Sequence, residues 1–137
     1  MTLYAMTHSP LFKAGVAVAP VTDLKNYDTI YMERYMGLPQ DNPDGYKRGS
    51  VVNSAKDLRG RVLMVHGTSD DNVHMQNTIQ MTNALINEGK QFDLMLYPRK
   101  THGIAGAAAR TNLFTRIQWQ LERYLMKAEP ATQPPAE

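Results

Sequence analysis

Two polar loops carry residues that could act together as an acid and a base. Asp70 and Asp71 follow the apolar run Val62–Val65, and His102 follows the strand-like segment Phe92–Tyr97. Reacting groups in α/β proteins gather at the carboxyl ends of parallel strands, which meet at one edge of the sheet. In a Ser–His–Asp triad, the buried carboxylate fixes the imidazole tautomer and the imidazole carries the proton of the nucleophile. Acid before histidine is the chain order of triads in which the serine comes first.

The same residues also have structural interpretations, and their spacing does not choose between the two. Either aspartate could cap a helix that begins near Val73. His102 precedes Gly103 and could occupy a turn. The remaining histidines are interpreted as structural or exposed: His8, His66 and His74. No group of His, Asp and Glu has the spacing of metal ligands, so neither a metal nor another cofactor is predicted.

The elements that would position the acid and the histidine are typical of a parallel α/β protein. Three apolar segments predict strands: Gly15–Ala19, Val62–Val65 and Phe92–Tyr97. Between the second and third strands, residues at helical spacing precede Gly89, a typical C-terminal cap. These residues are Met75, Ile79, Thr82, Leu85 and Ile86. Strand, helix and strand in this order predict a βαβ unit.

Further helices are predicted at both ends of the chain and in a long excursion between the first two strands. A stripe on the last helix predicts core packing: Leu113, Ile117, Leu121, Tyr124 and Leu125. Met1–His8 is typical of the middle of a helix. The excursion Val21–Ala55 has helical patches near Tyr27–Met36 and Asp44–Val51, and such excursions often shape a pocket.

Composition limits the class of protein. The 137 residues are 42% hydrophobic and 20% charged, with no cysteine, which is typical of one globular domain without disulfides. A net charge of +2 is too small to indicate nucleic-acid or membrane-surface binding, and no apolar run reaches the about 18 residues of a membrane span. We predict a domain over residues 1–128 and a disordered proline-rich tail over 129–137.

Four stretches resemble dipeptidyl peptidase IV-like serine peptidases of the prolyl oligopeptidase superfamily: Val18–Val21, Tyr31–Pro39, His66–His74 and His102–Ile104. The resemblance runs from about Phe12 to Met126. The sequence Asp-Asp-Asn-Val-His that begins at Asp70 is similar to the dipeptidyl peptidase branch. The resemblance implies a partial α/β-hydrolase fold, namely the last three parallel strands with flanking helices.

The resemblance also implies site residues. Asp70 would be the triad acid and His102 the general base. Asn72 would bind a substrate carbonyl, Tyr27 and Tyr31 would form aromatic walls around a penultimate proline, and nearby residues would add contacts: Val21, Val73 and Arg34. Flat aromatic faces suit the rigid pyrrolidine ring. Without the resemblance, Tyr27 and Tyr31 would be interpreted as an i,i+4 helix pair.

The expected nucleophile is not encoded in this chain. A Gly-x-Ser-x-Gly elbow should precede Gly15, but the serines present lie in other contexts: Ser9, Ser50, Ser54 and Ser69. We therefore expect a truncated catalytic domain that is inactive alone, because losing the nucleophile of a triad costs about a million-fold in turnover. The strand that should flank Gly15–Ala19 would also be missing, so we expect aggregation or oligomerisation through that edge.

Three functions remain open at this point. The first is a segment of a dipeptidyl peptidase that removes N-terminal X-Pro or X-Ala dipeptides from peptides. The second is a segment of an esterase or dienelactone-type hydrolase, and the third is a non-catalytic dimerisation module. The resemblance implies a homodimer through helices near His74–Glu88 and Ala107–Met126. The compartment is not identified by the sequence, although bacterial relatives are commonly exported, so a periplasmic or secreted parent is the expectation.

Overall fold

The computed structural model describes residues 1–126. The predicted tail of residues 129–137 and the last two residues of the predicted domain lie outside the described residues. Within residues 1–126 the elements follow the order α1 (Thr2–His8), β1 (Ala14–Val18), α2 (Thr29–Met36), α3 (Pro43–Gly49), β2 (Arg61–Gly67), α4 (Gln76–Asn87), β3 (Asp93–Tyr97) and α5 (Ala107–Leu125). Segments of 3₁₀ helix occur at Leu24–Asn26 and Val51–Asp57.

The three strands form one parallel sheet in the order β1-β2-β3. Gly15 pairs with Val62, and Leu63 pairs with Asp93. All residues of the central strand β2 except Arg61 are buried, as expected for a parallel strand that is covered on both faces. The predicted βαβ unit is therefore β2-α4-β3, and the predicted α/β class with three parallel strands is confirmed.

Alternate residues of β2 supply two separate cores because successive side chains of a strand point to opposite faces. Val62 and Met64 pack with residues of α1, the second 3₁₀ segment and α4. Leu63 and Val65 pack on the other face with Tyr97, Ile104 and Leu113. The ends of the strands are thus held on both sides, and the loops that follow them start from fixed positions.

The buried face of α4 differs from the apolar stripe in the sequence. Ile79 and Ile86 are about half exposed. Leu85 of the predicted stripe is buried, and the other buried residues of α4 are Asn77, Thr78 and Met81. The polar residues Asn77 and Thr78 lie on the inner face because they have hydrogen-bond partners there. On α5, Leu113 of the predicted stripe is buried, but Leu125 is half exposed.

Candidate active site

Asp70 and His102 meet at the carboxyl edge of the sheet. Asp70 lies three residues after β2, and His102 lies five residues after β3. Nδ1 of His102 is 2.9 Å from Oδ2 of Asp70. The Asp70 side chain is fully buried, whereas 46% of the His102 side chain is exposed. A carboxylate only accepts hydrogen bonds, so the imidazole donates its Nδ1–H and Nε2 keeps its lone pair. A neutral imidazole in this tautomer can accept a proton.

The Asp70 carboxylate is held by its own loop as well as by His102. Its Oδ1 accepts hydrogen bonds from the backbone N–H groups of Asn72 and Val73, at 3.0 and 2.9 Å. Burial raises the pKa of the Asp70 carboxyl, but the hydrogen bonds from His102, Asn72 and Val73 together outweigh it and leave the pKa below its ordinary value. Asp70 is therefore an ionised, fixed acceptor. It caps a turn rather than α4, which begins at Gln76.

His66 is a second imidazole beside the same carboxylate. It is fully buried, and its Nε2 lies 2.7 Å from the carbonyl of Val73 and 3.3 Å from Oδ2 of Asp70. Because both partners only accept, Nε2 carries the proton. Nδ1 lies 2.7 Å from the hydroxyl of Thr78 on α4. Residues 68–75, which connect β2 to α4 and carry Asp70, form the acid loop. His66 ties the acid loop to β2 and α4, in agreement with a structural role, while His8 and His74 are exposed.

The loop that bears His102 packs directly on the acid loop. Ser69 N–H donates to the carbonyl of Lys100 at 3.0 Å. A Cβ atom at Gly67 would collide with that same carbonyl, so only glycine permits this approach. Buried Ile104 anchors the other end of the loop in the core with a φ of +43°, an unusual conformation for a β-branched residue. His102 therefore lies in a turn whose two ends are fixed.

Asn72 of the acid loop meets Tyr27 of the long excursion. The Tyr27 hydroxyl donates to Oδ1 of Asn72 at 3.1 Å, although the residues are 45 positions apart in the chain. A polar cleft of about 430 Å³ lies here. It is lined by Lys25, Asn26, Tyr27, Asp28, Thr29, Asn72, His74 and Gln76. One wall of the cleft therefore comes from the loop that carries Asp70, and the other wall comes from the long excursion between β1 and β2.

The other predicted pocket residues occupy different surroundings. Tyr31 is half exposed on α2, and its ring lies edge-on to that of Tyr27, 5.6 Å between centroids. Tyr27 precedes α2, so the two tyrosines are not a pair within one helix. Arg34 is exposed, with its guanidinium 5.9 Å from the ring centroid of Tyr35. Val73 is buried, and Val21 lines a separate groove between α1 and β1.

Sequence reasoning did not identify Asn77 and Thr78 and assigned no specific contact to His66. Asn77 and Thr78 are fully buried, and both belong to the hydrogen-bond network around the acid loop. Only their place one turn after the acid loop could have drawn attention to them. Within residues 1–126, no three His, Cys, Asp or Glu residues are arranged to hold a metal ion. In the same part of the chain, no helix is long and apolar enough to cross a bilayer.

The three parallel strands and their flanking helices form part of an α/β-hydrolase fold. The sequence profile of the prolyl oligopeptidase family matches residues 1–127, and the chain belongs to that family. It is 42% identical over 118 residues to dipeptidyl peptidase 4 of Bos taurus, and 44% identical over 110 residues to prolyl endopeptidase FAP of Mus musculus. These matches cover 84% and 78% of this chain but only 15% and 14% of the relatives.

Solved structures of dipeptidyl peptidases have a similar fold. The crystal structure of Porphyromonas gingivalis dipeptidyl peptidase 4 superposes with a TM-score of 0.88 at 43% identity. The match covers 90% of this chain and 18% of that one. The chain is therefore a dipeptidyl peptidase IV-like segment that spans a small part of its relatives.

Proposed function

We propose that this chain supplies the acid and the base of a serine dipeptidyl peptidase that removes N-terminal X-Pro or X-Ala dipeptides from peptides. Asp70 is the triad acid and His102 the general base. The observation that carries this proposal is the 2.9 Å hydrogen bond from an exposed imidazole to a buried carboxylate. The carboxylate fixes the tautomer, and Nε2 accepts the proton of the nucleophile and then delivers it to the leaving amine.

The nucleophile in this proposal is a serine supplied by polypeptide outside the 137 residues. The serines of the chain do not occur in a Gly-x-Ser-x-Gly elbow: Ser9, Ser50, Ser54 and Ser69. Ser50 is buried, where its hydroxyl accepts from Leu24 N–H and donates to Asp23. Ser69 belongs to the acid loop itself. The chain alone is then expected to be inactive.

The central proposed substrate contacts are Asn72 and two tyrosines, Tyr27 and Tyr31. Asn72 has an amide that can donate to a substrate carbonyl while its oxygen accepts from Tyr27. Tyr27 and Tyr31 present two aromatic rings at a steep angle to each other, and the rigid pyrrolidine ring of proline can pack against such flat faces with little loss of entropy. Val21, Val73 and Arg34 complete the set of proposed contacts.

A hybrid enzyme tests this function. Residues 1–126 replace the matching segment of P. gingivalis dipeptidyl peptidase 4, and cleavage of Gly-Pro and Gly-Ala anilides is measured. We expect activity that Asp70→Asn lowers by about 10⁴-fold and His102→Gln by about 10⁶-fold. Asp71→Asn and His8→Gln are matched controls, because both side chains are exposed and neither lines the cleft. A soluble hybrid that cleaves only acetate esters would favour the esterase alternative instead.

A role in dimerisation is compatible with this proposal. The outer faces of α4 and α5 expose large apolar side chains: Ile79, Ile86, Phe114 and Leu125. Exposed apolar patches on two helices are typical of interaction surfaces. We expect the hybrid to be a dimer whose mass by light scattering falls to that of a monomer in Ile86→Lys/Phe114→Lys. An unchanged mass would contradict this pairing.

A further inference from the structure

Asn77 is the side chain that links the two loops of the cleft. It lies in the first turn of α4 and is fully buried. Its Oδ1 accepts from the backbone N–H groups of Thr22 and Asp23, at 3.0 and 3.3 Å. Its Nδ2 donates to the carbonyls of His74 and Asn26, at 3.2 and 3.4 Å. Every hydrogen-bonding position of the amide is thus used.

These four bonds also fix the orientation of the amide. If Oδ1 and Nδ2 were exchanged, the NH₂ group would face two N–H donors and the oxygen would face two carbonyls. The backbone adds a fifth link, because the Thr22 hydroxyl donates to the carbonyl of Asn77 at 2.6 Å. An amide in this position therefore has one arrangement, and aspartate or leucine cannot reproduce it.

The four backbone groups that bind the Asn77 amide lie on both walls of the cleft, three on one and one on the other. Thr22, Asp23 and Asn26 belong to the segment before Tyr27 that contains the first 3₁₀ helix. His74 belongs to the loop that carries Asp70 and Asn72. The direct hydrogen bond between the walls, from Tyr27 to Asn72, lies at the surface. The buried amide of Asn77 is thus an inner support that contacts both walls.

We propose that Asn77 is a positioning residue that sets the separation of Tyr27 from Asn72 and so determines how firmly a penultimate proline is bound. The proposal rests on the proposed function of this cleft. Asn77 does not touch substrate; it acts through the Thr22–Asn26 segment. Its loss should therefore weaken binding of the proline ring more than it slows the chemical step, because Asp70 and His102 keep their own hydrogen bonds.

Steady-state kinetics of the hybrid enzyme test this role. Asn77→Asp keeps the shape and the acceptors but removes both donors, and Asn77→Leu removes all four bonds. We expect each to raise KM for Gly-Pro anilide about tenfold or more while kcat changes by about twofold at most. Asn83→Asp, the same exchange on the exposed face of α4, should change neither constant. An unchanged KM in both variants would overturn the proposal, and so would a fall of kcat by about tenfold with KM unchanged.

Amide hydrogen exchange separates this proposal from the function on which it rests. In the 137-residue chain, Thr22 and Asp23 amides should exchange about tenfold faster in Asn77→Leu than in the unchanged chain, while amides of β2 stay protected. If exchange is accelerated in Asn77→Leu but the hybrid enzyme is inactive, the structural role of Asn77 is supported and the peptidase function is contradicted. Equal exchange in Asn77→Leu and in the unchanged chain would contradict the structural role of Asn77. Failure of the two ideas is therefore distinguishable.

Discussion

Replacing Asp70 by asparagine should reverse the tautomer of His102. The asparagine Oδ1 would keep the N–H groups of Asn72 and Val73, since nothing else at that position can accept them. The new NH₂ group would then face Nδ1 of His102, where Oδ2 now lies at 2.9 Å. Nδ1 would have to accept, so the proton would move to Nε2 and the ring could no longer act as a base there.

The cost to stability follows from the same bonds. Two backbone hydrogen bonds would change from a charged to a neutral acceptor, which lowers each by about 1 kcal/mol. The bond to His102 is partly exposed and contributes less, so the expected loss in free energy of unfolding is about 2 to 3 kcal/mol. Asp71→Asn, an exposed change in the same loop, should lie within about 0.5 kcal/mol of the unchanged chain.

Two measurements on the 137-residue chain check these values. Nitrogen-15 shifts of labelled histidine report the tautomer of His102, and urea unfolding reports stability. All chains are compared at one protein concentration because self-association adds to apparent stability. A His102 ring that keeps its proton on Nδ1 in Asp70→Asn would refute the reasoning, as would equal losses in the Asp70 and Asp71 variants.

Three further predictions concern acid, the buried imidazole and the sheet edge. The pKa of Asp70 lies below its ordinary value of 3.8, so its contribution to stability is complete above that pH and is lost as pH falls through the folded pKa. Urea unfolding at a series of pH values should therefore show a fall in the free energy of unfolding at acid pH in the unchanged chain, and a smaller fall in Asp70→Asn. His66→Leu leaves the Val73 carbonyl and the Thr78 hydroxyl buried without their partner, so it should cost about 3 kcal/mol, against about 1 kcal/mol for Thr78→Val, and equal costs would contradict the assigned bonds. Val18 is exposed on β1, whose one partner within residues 1–126 is β2; Val18→Lys should lower the oligomer fraction in sedimentation, while Ile30→Lys on α2 should not.

The strands and the acid–base pair were accessible to sequence reasoning because each depends on a local pattern. Apolar runs such as Val62–Val65 predict buried parallel strands, and residues just after two such strands are expected at one edge of the sheet. That expectation predicts that Asp70 and His102 lie near each other, and the two residues are hydrogen-bonded in the structure. The ends of the strands differ from the prediction by at most two residues.

Contacts between distant loops were not accessible in the same way. Helical periodicity counts apolar residues, so it selected Ile79 and Ile86, which are half exposed. It passed over Asn77, whose burial depends on partners more than 50 positions earlier in the chain. A buried polar residue is stable only where its partners are supplied, and those partners become known when the segment Thr22–Asn26 is placed against α4. Hydrophobic pattern does not report that placement.

The burial of Asp70 explains how an exposed imidazole can keep one orientation. Fixing a side chain that is nearly half in solvent costs rotamer entropy. A charge-assisted bond to a fully desolvated carboxylate can offset that cost, whereas the same pair in water would contribute little. The carboxylate in turn stays ionised because its other oxygen accepts two N–H groups of the loop. Rigidity of the acid loop is thus a condition for the orientation of His102, and loosening the loop should disorder the ring before it disturbs the sheet.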